Sequence, residues 1–85
     1  MKILVIDDNH LVRYAISKIL QRNGYDVVTA ADGKRAMAIL RVELPDVVIT
    51  DIIMPEQEGI ETIIAMRAAR PDLVPYTRAG LAQRV

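Results

Sequence analysis

Residues 3–8 read ILVIDD and residues 46–51 read DVVITD: two short aliphatic runs, each closing on aspartate. Ile3–Ile6 and Val47–Thr50 are too short for helices. They are rich in β-branched residues and do not alternate with polar ones, which is how strands buried on both faces of a parallel sheet read. Between and after them the pattern changes period. Asn9 can cap a helix whose apolar positions, Val12, Ala15, Ile16, Ile19 and Leu20, recur at three- and four-residue spacing, and Asn23-Gly24 can end it. Tyr25–Ala30 reads as a second strand. Asp32 can cap a second helix carrying Ala36, Ile39 and Leu40, which closes at Leu44-Pro45 because the residue before proline avoids the helical region.

After the third strand, Pro55 and Gly59 punctuate a loop. A helix follows with Ile60, Ile63, Ile64 and Met66 on its stripe, and Pro71 stops it. Strand and helix thus alternate three times with short links, which predicts right-handed crossovers and an α/β fold, a parallel sheet of three β-α units with helices on both faces. From Val74 the chain carries no convincing period, and Pro75 would remove a ladder donor from a central strand. Residues 74–85 therefore read as an irregular tail on a unit spanning 1–73.

Composition narrows the function classes. The chain has 85 residues, so it holds one domain at most, and 52% hydrophobic residues argue against disorder. Eleven basic residues balance eleven acidic ones, so no global field steers the protein toward nucleic acid or a membrane. There is no cysteine, which excludes disulfides and thiolate metal sites. No apolar stretch approaches the roughly 20 residues of a membrane span, and aspartates stand where a signal peptide would be cleaved, so the expected location is cytoplasmic.

The chemistry sits at the strand ends. Asp7 and Asp8 follow the first strand and Asp51 follows the third; if those strands are neighbours, the three carboxylates converge in the crevice beyond the carboxyl ends of the sheet. Like charges held close in a partly buried site repel, and a divalent cation relieves the repulsion. All-oxygen ligands suit Mg²⁺ (or Mn²⁺). A carboxylate beside such a cation can attack a phosphoryl donor and become an acyl phosphate, with the cation offsetting charge on the phosphoryl oxygens. On this reading Asp51 is the nucleophile and Asp8 a direct ligand. Asp7 is a ligand through water or an anchor, and the Ile53 carbonyl is a further ligand. The plainer alternative is that these aspartates only cap helices.

Three blocks, ILVIDDNHLVR (3–13), AADGKRAMAIL (30–40) and PDVVITDIIMPEQEGIE (45–61), together resemble the response-regulator receiver family of two-component systems, over about residues 2–73. The resemblance implies a flavodoxin-like, doubly wound parallel sheet in the order 2-1-3-4-5, of which this chain supplies a part, the first three strands in the order 2-1-3. It also implies Mg²⁺ on Asp7 and Asp8, and phosphorylation of Asp51 by a sensor histidine kinase or phosphotransfer protein. It also implies a signalling protein rather than an enzyme. The family adds a hydroxyl switch on a fourth strand and a lysine after a fifth. Thr77 falls near the first position. Lys2, Lys18 and Lys34 are all misplaced for the second, so the expectation is a C-terminally truncated receiver, by frameshift, truncation or design. Truncation would leave strand three as an open apolar edge and strip the first helix of the cover of a fifth. A homodimer or domain swap is then expected.

The competing reading is a degenerate, non-switching receiver acting as a dimerisation or binding module. A haloacid-dehalogenase-like phosphohydrolase would want a second acid at Asn9. His10 reads as a surface residue rather than a relay, Glu56 and Glu58 as helix N-terminal acids, and Arg67, Arg70, Arg78 and Arg84 as a solvated face. Met37, Met54 and Met66 read as filling. No nucleic-acid or membrane partner is expected from this chain.

Overall fold

The computed structural model describes the backbone of residues 1–50 and 58–77 and the side chains of residues 1–50 and 64–73. The elements run β1 (Lys2–Ile6), α1 (His10–Arg22), β2 (Asp26–Ala30), α2 (Gly33–Glu43), β3 (Val47–Thr50), α3 (Glu58–Ala69) and β4 (Val74–Thr77). All pairings are parallel, in the order β2-β1-β3-β4. The expected 2-1-3 order is therefore present, with one strand added.

β1 lies between two neighbours, and Ile3, Leu4, Val5 and Ile6 are all buried. Because side chains alternate across a strand, Leu4 and Ile6 share one face. They join Val48, Ala30, Ala36, Leu40, Met66 and Leu73 in the main core, beneath α2 and α3. Ile3 and Val5 fall on the other face, the side on which α1 packs against β1 and β2. Each such aliphatic side chain contributes about 1.5–3 kcal/mol when removed from water.

The helix boundaries follow from local chemistry. The Asn9 side chain accepts from Leu11 N and Val12 N, and the Asp32 side chain accepts from Arg35 N, as N-caps do. α1 closes in a Schellman motif: Gly24 N donates to Gln21 O, Tyr25 N donates to Leu20 O, and Gly24 takes the positive φ of 89° that the turn requires. α2 ends differently. Leu44 adopts φ 51°, a left-handed conformation that costs a residue with a Cβ, and Pro45 prevents continuation.

Three expectations are corrected. First, Val74–Thr77 is a strand and not irregular, pairing with β3 along its length, with Pro75 opposite Val48. Alternate residues of a strand bond to alternate sides, so a proline at the edge of the described sheet need not remove a ladder bond. β3 is consequently not an edge, which removes one of the two grounds on which a homodimer or domain swap was expected; the other, the uncovered first helix, is untouched. Second, the α1 stripe is narrower than its spacing suggests: Val12, Ile16 and Leu20 are partly buried, whereas Ala15 and Ile19 face solvent and Ser17 is buried. Leu11 and Tyr14 are also exposed, so α1 carries an uncovered apolar flank among the described residues. Third, α3 begins at Glu58, which places Gly59 in its first turn. Met66 is buried on this helix while Ile64 is exposed. Residues 78–85 lie outside the described residues.

Candidate functional site

β1 and β3 are in register with Ile6 opposite Thr50, and Ile6 is also opposite Ala30 of β2. The residues that follow these partners leave the sheet at its carboxyl end, beside the β1–β3 pairing. Asp7 and Asp8 are there. Asp51 is the next residue after Thr50 and, with Ile53, lies outside the described residues. Thr77 is the last residue of β4 and is opposite Thr50, so its backbone stands at the same end of the sheet.

The two acids of the pair have different surroundings. Asp7 is only 1% exposed. Its N–H donates to Ala30 O at 3.1 Å, extending the β1–β2 ladder by one bond. Its Oδ1 accepts from Asn9 N at 2.8 Å. Its main-chain carbonyl accepts from Arg13 Nη1 at 2.7 Å. Asp8, by contrast, is exposed. One carboxylate is thus sunk and anchored, and its neighbour is open to solvent.

The donor set fits a small hard cation: two adjacent carboxylates, oxygen only, one of them accessible. Among the described residues no group of three acidic, histidine or cysteine side chains gathers as a metal site; the third acid of the expected set is Asp51. His10 is exposed, with Nδ1 3.5 Å from Arg13 Nη2, consistent with a surface residue.

Two features near the site were missed in the sequence. Arg13 places a guanidinium against the acidic turn, where no local Lys or Arg was foreseen. The available signal was spacing: Arg13 stands one turn beyond the Asn9 cap, on the helix that the turn itself starts. Thr50 is fully buried at the end of β3, and its Oγ1 has no hydrogen-bond partner among the described residues. A groove of about 270 Å³ runs between α1 and β2, lined by His10, Arg13, Tyr14, Ser17, Lys18 and others. Its basic groups, including the Lys18 ammonium 5.4 Å from the Tyr14 ring centre, make it unsuited to a cation.

Known proteins with the same arrangement are numerous. Over the whole chain it is 35% identical to the response regulator MprA of Mycolicibacterium vanbaalenii, of which it spans 38%. Over 78% of the chain it is 39% identical to the alkaline phosphatase synthesis transcriptional regulatory protein PhoP of Bacillus subtilis, of which it spans 28%. The chain therefore spans well under half the length of these curated relatives. Among solved structures, a response regulator receiver domain protein from Clostridium thermocellum superposes with a TM-score of 0.83 at 31% identity, over 89% of this chain and 62% of that one. A structure of histidine kinase ThkA in complex with response regulator protein TrrA matches with a TM-score of 0.81 at 33% identity, over 89% of this chain and 66% of that one. Residues 3–78 match the pattern of the response regulator receiver domain, and the chain belongs to that family.

Proposed function

We propose that the chain is a phosphoacceptor module of a two-component phosphorelay, taking a phosphoryl group on Asp51 with Mg²⁺ held by Asp7 and Asp8. The observation that carries this reading is the pairing of Ile6 with Thr50, which brings the starts of the two acidic loops side by side. In the reaction, an Asp51 carboxylate oxygen attacks phosphorus of a phosphorylated histidine. The P–N bond breaks, its electron pair returns to the imidazole, and the acyl phosphate remains on Asp51. Bound Mg²⁺ supplies positive charge where the phosphoryl oxygens become more negative.

The chain's own residues divide the work. Asp7, held on three sides, fixes the turn, and Asp8 offers the open carboxylate. The Ile53 carbonyl completes the oxygen set, and the Thr77 hydroxyl is the candidate sensor of the phosphoryl group. The similarity to a response regulator bound to a histidine kinase supports a sensor histidine kinase as partner. On this reading the module signals rather than turning over a separate substrate, and it works in the cytoplasm.

The test is incubation with Mg²⁺ and a small acyl-phosphate donor, followed by intact mass. The expected result is one added phosphoryl group, lost in Asp51→Asn. No addition, or an addition that survives Asp51→Asn, refutes the reading. Mg²⁺ binding without phosphorylation favours instead a non-switching binding module.

A further inference from the structure

We infer that Arg13 is a positioning residue for the metal-binding turn, acting through the peptide that joins Asp7 to Asp8; this rests on the assignment of Mg²⁺ to those two residues. Arg13 Nη1 donates to the Asp7 carbonyl at 2.7 Å. That carbonyl and the Asp8 N–H belong to one planar peptide, so holding the oxygen fixes the N–H on the opposite side and with it the direction in which Asp8 leaves the backbone.

The other anchors of the turn flank this peptide without orienting it. Asp7 N is tied to Ala30 O, and Asp7 Oδ1 is tied to Asn9 N. Asn9 Oδ1 is in turn occupied by Leu11 N and Val12 N. Asp8 is the exposed residue in the middle, and the Arg13 side chain bonds the carbonyl of the peptide that leads into it.

The acidic turn attracts the Arg13 guanidinium, but two other effects oppose a cation there. Arg13 lies in the opening turn of α1, where the helix dipole disfavours a cation and no acid precedes it within the turn. A cation there also repels a metal held by Asp8, although solvent screens that repulsion at an exposed carboxylate. Charge and position therefore make opposite predictions. If Arg13 acted through its charge, removing it would tighten Mg²⁺ binding. If it orients the Asp7–Asp8 peptide, removing it weakens binding, as losing a group that orients a metal ligand commonly does by about tenfold or more.

The experiment measures Mg²⁺ affinity by calorimetry, and the Asp8 amide resonance without metal, in the parent chain and three variants. Arg13→Ala is expected to bind Mg²⁺ about tenfold more weakly and to shift or broaden the Asp8 amide before any metal is added. Arg13→Lys keeps the charge but loses the planar fork, and is expected to remain weaker than the parent; it carries the test if Arg13→Ala does not fold. Ser17→Ala removes the bond from Ser17 Oγ to the Arg13 carbonyl, altering the same helical turn without touching the guanidinium, and should leave both readouts unchanged.

Unchanged or tighter Mg²⁺ binding in the Arg13 variants, with the parent binding normally, overturns the role of Arg13 alone. Equal losses in Ser17→Ala also overturn it, because they trace the effect to the helix. A parent chain that takes no Mg²⁺ overturns the metal assignment and this role together.

Discussion

Ile6 of β1 and Thr50 of β3 are partners across a parallel ladder, both buried and both the last residues of their strands. Two strands of five and four residues end level because their registers start together, Ile3 with Val47. Whatever follows each strand leaves the sheet at the same height, about one strand spacing apart (~4.8 Å). Here aspartate follows both. The sheet thereby turns a sequence separation of over forty residues into a local juxtaposition of loop starts.

Asp7 and Asp8 should respond differently to substitution, since one holds the turn and the other faces solvent. Asp7→Ala removes the acceptor of the Asn9 N–H and the buried carboxylate, and should cost about 1–3 kcal/mol of stability. Asp8→Asn changes an exposed group and should stay within about 0.5 kcal/mol of the parent. Both should lose the extra stability that Mg²⁺ gives the parent. Urea unfolding with and without Mg²⁺ separates these effects. Equal losses of metal-free stability in the two variants would contradict the division of roles.

The central strand should be the most sensitive element. Leu4 is fully buried within the main core, contacted from two flanking strands and the helices above. Leu4→Ala should cost about 2–5 kcal/mol, a large share of what a small domain has to lose. Exposed Leu11→Ala should be nearly neutral. Thermal unfolding of both variants provides the comparison, and similar midpoints would argue that β1 is not the centre of the core.

Much of this was legible in the sequence because the deciding signals are local. The ILVI and VVIT runs, the caps Asn9 and Asp32, and the Gly24, Pro45 and Pro71 stops each act within a few residues, and such signals place six of the seven elements and make the sheet parallel, whereas the strand order came from likeness to the receiver family. β4 was not legible, since Pro75 argues locally against a strand and only its position beside β3 makes it acceptable. The extent of the α1 stripe was also hidden. Spacing gives the direction of an apolar face but not what stands opposite Ala15 and Ile19. At the site, the acidic pair could be read directly, whereas Arg13 could not, because its partner is a main-chain carbonyl that leaves no trace in residue type.

The left-handed Leu44 makes a prediction of opposite sign. It stands at φ 51° and is largely exposed, so its side chain contributes little burial while its Cβ crowds the backbone. Leu44→Gly relieves that crowding, worth about 1–2 kcal/mol, and gives back part of it through the greater freedom of glycine in the unfolded chain, about 0.5–1 kcal/mol. The net expectation is a gain of up to about 1 kcal/mol, read as a higher denaturant midpoint with unchanged slope. Destabilisation would mean that the leucine side chain packs more tightly than its exposure indicates.

Two ion pairs at the end of the sheet opposite the acidic turn contribute to the pH dependence. Arg70 Nε and Nη2 each lie 3.0 Å from an oxygen of Asp72, and this fork holds the Asp72 carboxyl below its ordinary range. A carboxyl depressed on folding stabilises the protein above its unfolded value, and that contribution is lost as pH falls through the folded value. At the other limb, Lys2 Nζ lies 2.9 Å from Glu43 Oε1, which raises the lysine above its ordinary range. Its contribution is complete below the unfolded lysine value and is lost as pH rises through the raised one. Arg70→Met should therefore flatten the acid limb of the stability profile, and Glu43→Gln should flatten the alkaline limb. Both pairs are partly exposed to solvent, so each effect should be small and should shrink as salt is added. Denaturant midpoints across the pH range, at low and high salt, provide the measurement. An acid limb in Arg70→Met identical to that of the parent would place the acid sensitivity on other carboxylates.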